Sequence, residues 1–143
     1  MSEEVKYSLS TEVEKLDLNL IHSFLTDSYW AKGIPKEVVA RSIQHSLCFG
    51  AYDADGNQVG FARAITDRAT FAYLADVFVL DAHRGKGVSR LLMDAYETHP
   101  ELQGLRSHML ATGDAHGLYK KYGFEPVAQP EIWMQKHDPE VYK

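Results

Sequence analysis

Cysteine is almost absent: Cys48 is the single one among 143 residues. That excludes an internal disulfide and a zinc site built from several thiolates, and it fits a reducing cytoplasm. The seven histidines never recur at the tight i, i+4 spacing of a helical metal pair, so no metal site is expected. Long apolar runs are lacking too; nothing approaches the ~20 residues of a membrane span. The opening, MSEEVKYSLS, carries two acids and no apolar stretch, so no secretory signal and no membrane partner is expected. Positive charge is not in excess. A net charge of -5 argues against a general nucleic-acid binder. Repeats, low-complexity tracts and linkers are missing, so residues 1–143 read as a single domain.

What is present reads as alternating strand and helix signals. Residues 5–9 alternate like a short first strand. Residues 16–25 place apolar side chains at helical spacing, and Gly33 and Pro35 interrupt the stretch that follows. A second helix is predicted over 36–46 and a strand over 47–52. The run Asp-Ala-Asp-Gly-Asn at 53–57 has hairpin-turn chemistry. Strands are predicted over 58–65 and 70–80, and a helix over 88–96 with Val88, Leu91, Leu92 and Ala95 on one face. A strand over 105–112 follows, then a helix over 115–121 that Asp114 can cap and Gly123 can end. Residues 125–127 and 132–136 read as closing strands. The order β-α-α-β-β-β-α-β-α-β-β mixes hairpins with crossovers. It predicts an α/β fold with a mixed, mostly antiparallel sheet flanked by helices.

Between the strand at 70–80 and the helix at 88–96 stands Arg84-Gly85-Lys86-Gly87. Glycines admit positive φ and let a ligand approach the backbone without a Cβ in the way. Loop amides and the first amides of the next helix can together cradle an anion. A plain surface turn with solvated charges is the other reading. A Walker loop would need Ser or Thr after the lysine, and Gly87 stands there. A dinucleotide fingerprint would need a third glycine where Arg90 stands.

The stretch Arg84-Gly85-Lys86-Gly87-Val88-Ser89 resembles the Arg/Gln-x-x-Gly-x-Gly/Ala signature of the GCN5-related N-acetyltransferase (GNAT) superfamily. Ala115-His116-Gly117-Leu118-Tyr119, followed by Gly123-Phe124, resembles a second element of that family. Ser89 departs from the usual glycine or alanine, but it is small and keeps its amide. The resemblance implies acetyl-CoA as co-substrate and direct attack on its thioester by a primary amine of a small molecule or peptide. It implies pyrophosphate binding by Arg84, Gly85, Lys86, Gly87, Val88 and Ser89. It also implies a bulged strand whose exposed backbone at Val77 and Val79 pairs with the pantetheine arm, like an added strand. A homodimer is compatible with the family. A non-catalytic acyl-CoA-binding module is the alternative function.

By the same resemblance, Tyr119 is the candidate acid for the departing thiolate; by spacing alone it reads as a core aromatic on the face shared with Ala115, Leu118 and Tyr122. Asp76 is the candidate base, because an acid inside Tyr-Leu-Ala-Asp-Val-Phe-Val-Leu is costly unless paired. A structural ion pair or a loop-capping carboxylate are the other readings. Family members that acetylate polyamines use a glutamate one position earlier, where this chain has Ala75. Tyr29 and Trp30 are candidates to line the acceptor pocket. Arg63 either grips a substrate carboxylate or pairs with Asp67 or Asp76. Cys48 reads as a buried core thiol.

Overall fold

The computed structural model describes residues 6–143; Val5 and the acidic opening lie outside the described residues. Five strands form one sheet in the order β1-β2-β3-β4-β5: Ser8–Ser10, Leu47–Tyr52, Gln58–Thr66, Phe71–Val79 and Ser107–Leu110. The first four pair antiparallel and β5 joins β4 in parallel, which is the mixed sheet expected. The helices are α1 (Leu18–Asp27), α2 (Lys36–Gln44), α3 (Val88–Thr98) and α4 (His116–Lys120).

Turn chemistry fixes the meander. Asp53 accepts from the amides of Asp55 and Asn57, and Gly56 takes φ 85°. At the β3–β4 turn Asp67 accepts from the amides of Ala69, Thr70 and Phe71 and from the Thr70 hydroxyl. Those donors hold its carboxyl well below the usual range.

Both faces of the sheet are covered. Phe49, Val59, Val88, Leu92, Met93 and Tyr96 form one apolar cluster, which includes the buried face of α3. Ile21, Leu25, Val39, Ile43, Cys48, Phe61 and Phe78 form the other, with α1 and α2. Cys48 and Phe49 are neighbours on opposite faces, the period-2 alternation of a doubly covered strand. Cys48 is thus the core thiol expected, and burial pushes it up to about 11.

Two expectations need correction. No strand forms over 125–136; the chain there is irregular, with a short 3-10 turn at Pro130–Ile132. Pro126 and Pro130 supply no amide to a ladder. Nor does Asp114 cap α4. The Thr112 hydroxyl accepts from the Ala115 amide at 3.1 Å instead. The other end of α4 closes as expected: Gly123 at φ 88° donates to Lys120 and Phe124 donates to Tyr119, the two bonds of a Schellman motif.

Candidate functional site

The site begins where β4 leaves β5. Their ladder runs only from Phe71↔Ser107 to Leu74↔Leu110, while β4 continues to Val79. In the same stretch the β3–β4 register slips between Phe61↔Phe78 and Arg63↔Ala75. Two steps on β3 face three on β4, so β4 carries a bulge. The residue in it is Asp76, at φ 56°. A non-glycine there costs roughly 1–2 kcal/mol unless something holds it.

Its carboxylate is held at both oxygens. Arg63 Nε donates to Oδ2 at 2.9 Å and Trp30 Nε1 donates to Oδ1 at 2.8 Å. Arg63 Nη1 donates to Ser46 Oγ at 3.0 Å. Of the readings open for these residues, the structure realises the ion pair. Both side chains are largely buried, 15% and 11% exposed, which strengthens the pair over a surface one.

Beyond the bulge the outer edge of β4 is open. Leu80 donates its amide to Val59 of β3. By alternation the Val79 backbone turns away from β3, and Arg84 Nε reaches its carbonyl at 3.3 Å. Val77 and Val79 both line a cleft of about 1100 Å3 along this edge.

The glycine loop closes one end of that cleft. Gly85 and Gly87 take φ 76° and 86°, and a Cβ at either would meet nothing within 4 Å. Gly87 is the N-cap of α3 and no side chain caps the helix. Among the described residues, the amides of Gly85, Lys86, Gly87, Val88, Ser89 and Arg90 make no well-aligned hydrogen bond, only the loose contacts of a turn. Such a row of bare donors at a helix N-terminus is chemistry for a polyanion. Arg84, Gly85, Gly87, Val88 and Ser89 line the cleft. Lys86 does not, and Arg90 does. Arg90 stands where a dinucleotide fingerprint would need its third glycine, and nothing else in the sequence marks it.

The other end is aromatic. Tyr29 and Trp30 stand edge to face at 5.1 Å, 72% and 41% exposed, on the loop after α1. A Cβ at Gly113 would come within 3.4 Å of the Tyr29 hydroxyl, so this loop reaches the loop after β5. Tyr119 also lines the cleft, 9% exposed, its ring edge against Phe124. Its hydroxyl has no hydrogen-bond partner among the described residues. Burial, then Asp114 and Tyr29, push its pKa up, so it keeps its proton at neutral pH. Tyr122 is occupied otherwise, donating to Asp94 of α3 at 3.1 Å.

His83 also lines the cleft, with Nδ1 2.8 Å from the Tyr7 hydroxyl. It directly precedes Arg84, and that adjacency was its only sequence signal. Gln135 and His137 come from the irregular tail and had none. No group of three metal-ligating side chains occurs among the described residues. No helix among them is long and apolar enough to cross a membrane.

Comparison with known proteins agrees with this geometry. Residues 44–126 match the family model described as an acetyltransferase (GNAT) domain. A crystal structure of a candidate GNAT-family acetyltransferase from Xanthomonas campestris pv. campestris is 55% identical. It superposes over 96% of each chain with a TM-score of 0.93. A candidate acetyltransferase of Gibberella zeae is 32% identical over 80% of this chain and 76% of its own. A predicted acetyltransferase of Clostridium acetobutylicum, crystallised with acetyl-CoA, shares the fold at 15% identity. It covers 93% of this chain and 96% of its own, with a TM-score of 0.66. By sequence, sheet topology and the helix-mouth loop alike, the chain belongs to the GNAT acetyltransferase family.

Proposed function

We propose that the protein is an acetyl-CoA-dependent N-acetyltransferase acting on a primary amine of a small molecule or peptide. The observation that carries this is the run of uncapped amides at the mouth of α3, with Gly85, Gly87, Val88, Ser89 and Arg90 lining the same cleft as Val77, Val79 and Tyr119. The amides, with Arg84 and Arg90 beside them, suit the pyrophosphate of CoA. The backbone of Val77 and Val79 suits the amide-bearing pantetheine arm. Acetyl-CoA with the same fold in the Clostridium protein supports the assignment.

The bound thioester supplies the acetyl group. The amine nitrogen bonds to the acetyl carbon, the carbon–sulfur bond breaks, and the sulfur leaves as thiolate. Tyr119 holds the proton, or the hydrogen bond, that the thiolate requires. A lysine-like ammonium has a pKa of ~10.4 and must lose a proton before it attacks. With Asp76 engaged at both oxygens, solvent in the cleft takes that proton; the second N–H proton, released as the amide forms, passes through solvent to restore the one Tyr119 gives to sulfur. Tyr29 and Trp30 form the acceptor wall, and Arg63 stands behind it through Asp76. The buried thiol of Cys48 is in keeping with a cytoplasmic setting.

The test has two parts. Acetyl-CoA at ~100 times its Kd raises stability by ~2.7 kcal/mol, seen as a melting shift. Acetyl-pantetheine, without the phosphates, shifts melting far less. In Gly87→Val the branched side chain fills the loop and the shift is lost, although the positive φ also strains the variant. Thiol release with polyamines, amino acids, aminoglycosides and peptides then separates an enzyme from a binding module. No melting shift with acetyl-CoA sinks the proposal; binding without release of thiol in the whole panel leaves the binding module instead.

A further inference from the structure

We propose that the Trp30–Asp76 hydrogen bond is a latch fixing the acceptor wall to the bulge of β4, which makes Trp30 and Asp76 positioning residues. The inference rests on the N-acetyltransferase reading for its kinetic consequence and not for its structural one.

One carboxylate joins three parts of the molecule. Asp76 belongs to the bulge and is held at Oδ2 by Arg63 of β3. Arg63 is itself anchored on Ser46, between α2 and β2. Oδ1 receives the indole N–H of Trp30 from the loop after α1. The flanks of that loop are held by Ala31 N–H on Ser28 Oγ and Gly33 N–H on the Thr26 carbonyl, while its tip is exposed, Tyr29 by 72% and Trp30 by 41%. Its aromatic neighbours, Phe24 at 6.3 Å from Trp30 and Tyr29 at 5.1 Å, set no fixed depth by themselves. The charge-assisted indole–carboxylate bond does.

Geometry gives the latch its consequence. Val77, next in the chain to Asp76, lines the cleft on the side of the open β4 edge. Tyr29, next to Trp30, lines it on the acceptor side. The hydrogen bond therefore fixes the separation between the wall that an amine leans on and the backbone that would hold the thioester arm. Reaction of two bound partners is sensitive to such a separation at the level of an ångström. An isolated, unpaired carboxylate would serve as a base; one shared between a guanidinium and an indole serves as a fixed point.

The test is Trp30→Phe, which keeps a ring and removes the donor at an exposed position. Amides of residues 28–33 in the variant exchange with deuterium ~10-fold faster, the scale of a lost hydrogen bond to a charged group. kcat/KM for the best amine of the panel falls ~10-fold or more. The Kd for acetyl-CoA is unchanged, and the pH profile of kcat/KM keeps its shape. Asp76→Asn reads the competing role. If it abolishes the acidic limb of that profile while Trp30→Phe is silent, Asp76 is a base and the latch is wrong. If the wild type acetylates no amine, the enzyme reading fails separately, and exchange alone decides. Unchanged exchange at 28–33 in Trp30→Phe then overturns the latch.

Discussion

At the scale of single residues, Tyr119 is the sharpest test of the chemistry. Tyr119→Phe removes one oxygen and leaves the ring against Phe124. A group that acts on the developing thiolate contributes in the transition state and not in the ground state. We expect kcat to fall by ~10²-fold or more, with KM for acetyl-CoA and melting temperature nearly unchanged. Activity within error of wild type would return Tyr119 to the core and leave water as the acid. A second residue, Cys48, makes a prediction about pH. Its folded pKa is raised from 9.0 to about 11 by burial. Between those values the unfolded chain has lost the proton and the native chain keeps it. Stability therefore falls as pH rises through that window, by about 2 kcal/mol at pH 10.5. Urea midpoints at pH 8 and pH 10.5 should show a shallower fall in Cys48→Ala, despite its lower absolute stability. Equal falls in both proteins would refute the assignment. Tyr96, pushed up to about 12, acts in the same direction in both proteins. The polar pair illustrates what sequence can offer at this scale. An acid and a cation stood out in apolar strands because each is costly alone. That they are each other's partner depends on a register slip and a positive φ at a non-glycine, and neither leaves a mark in composition or spacing.

At the scale of elements, strands with strict alternation and helices with a clear apolar face were legible to within a few residues. The segment 125–136 was not, because apolar residues there mimic strands while Pro126 and Pro130 withhold the ladder donors. The start of α4 is ambiguous in sequence for a different reason. Thr112 and Asp114 both offer a side-chain oxygen, and only loop geometry decides which meets the free amides. How α3 sits on the sheet was also invisible in sequence, and it turns on Gly60. A Cβ there would lie 3.0 Å from Val88 Cγ1, 3.2 Å from the Phe78 carbonyl oxygen and 3.3 Å from Leu92 Cδ1. Two of these neighbours are buried core side chains and the third is backbone, so none yields freely. Gly60→Ala should destabilise the fold by roughly 1–3 kcal/mol, the usual cost of overpacking. It should also weaken acetyl-CoA binding, because Val88 opens α3 at the glycine loop. Denaturation and binding titrations on one preparation check both; full stability with wild-type affinity would show that α3 has room to move.

At the scale of the whole molecule, the four antiparallel strands with α1, α2 and α3 hold most of both apolar clusters. The part beyond α3 is attached more lightly. It joins the sheet through the short β4–β5 ladder and α3 through the Tyr96–His108 and Tyr122–Asp94 hydrogen bonds, and it sends Leu102 and Tyr119 into the apolar cluster under α3. Fold class could be read from element order; this unevenness could not, because it depends on how many rungs β5 forms. Amides of β5 and α4 should exchange by a local opening well below the global unfolding free energy. Those of β2 and β3 should exchange only by global unfolding. Hydrogen exchange followed by mass spectrometry tests this, and uniform protection across all five strands would contradict it. Tyr119 rides on the lighter part. On gentle heating, catalytic turnover should therefore fade several degrees before the meander melts, and return on cooling without any refolding of the core.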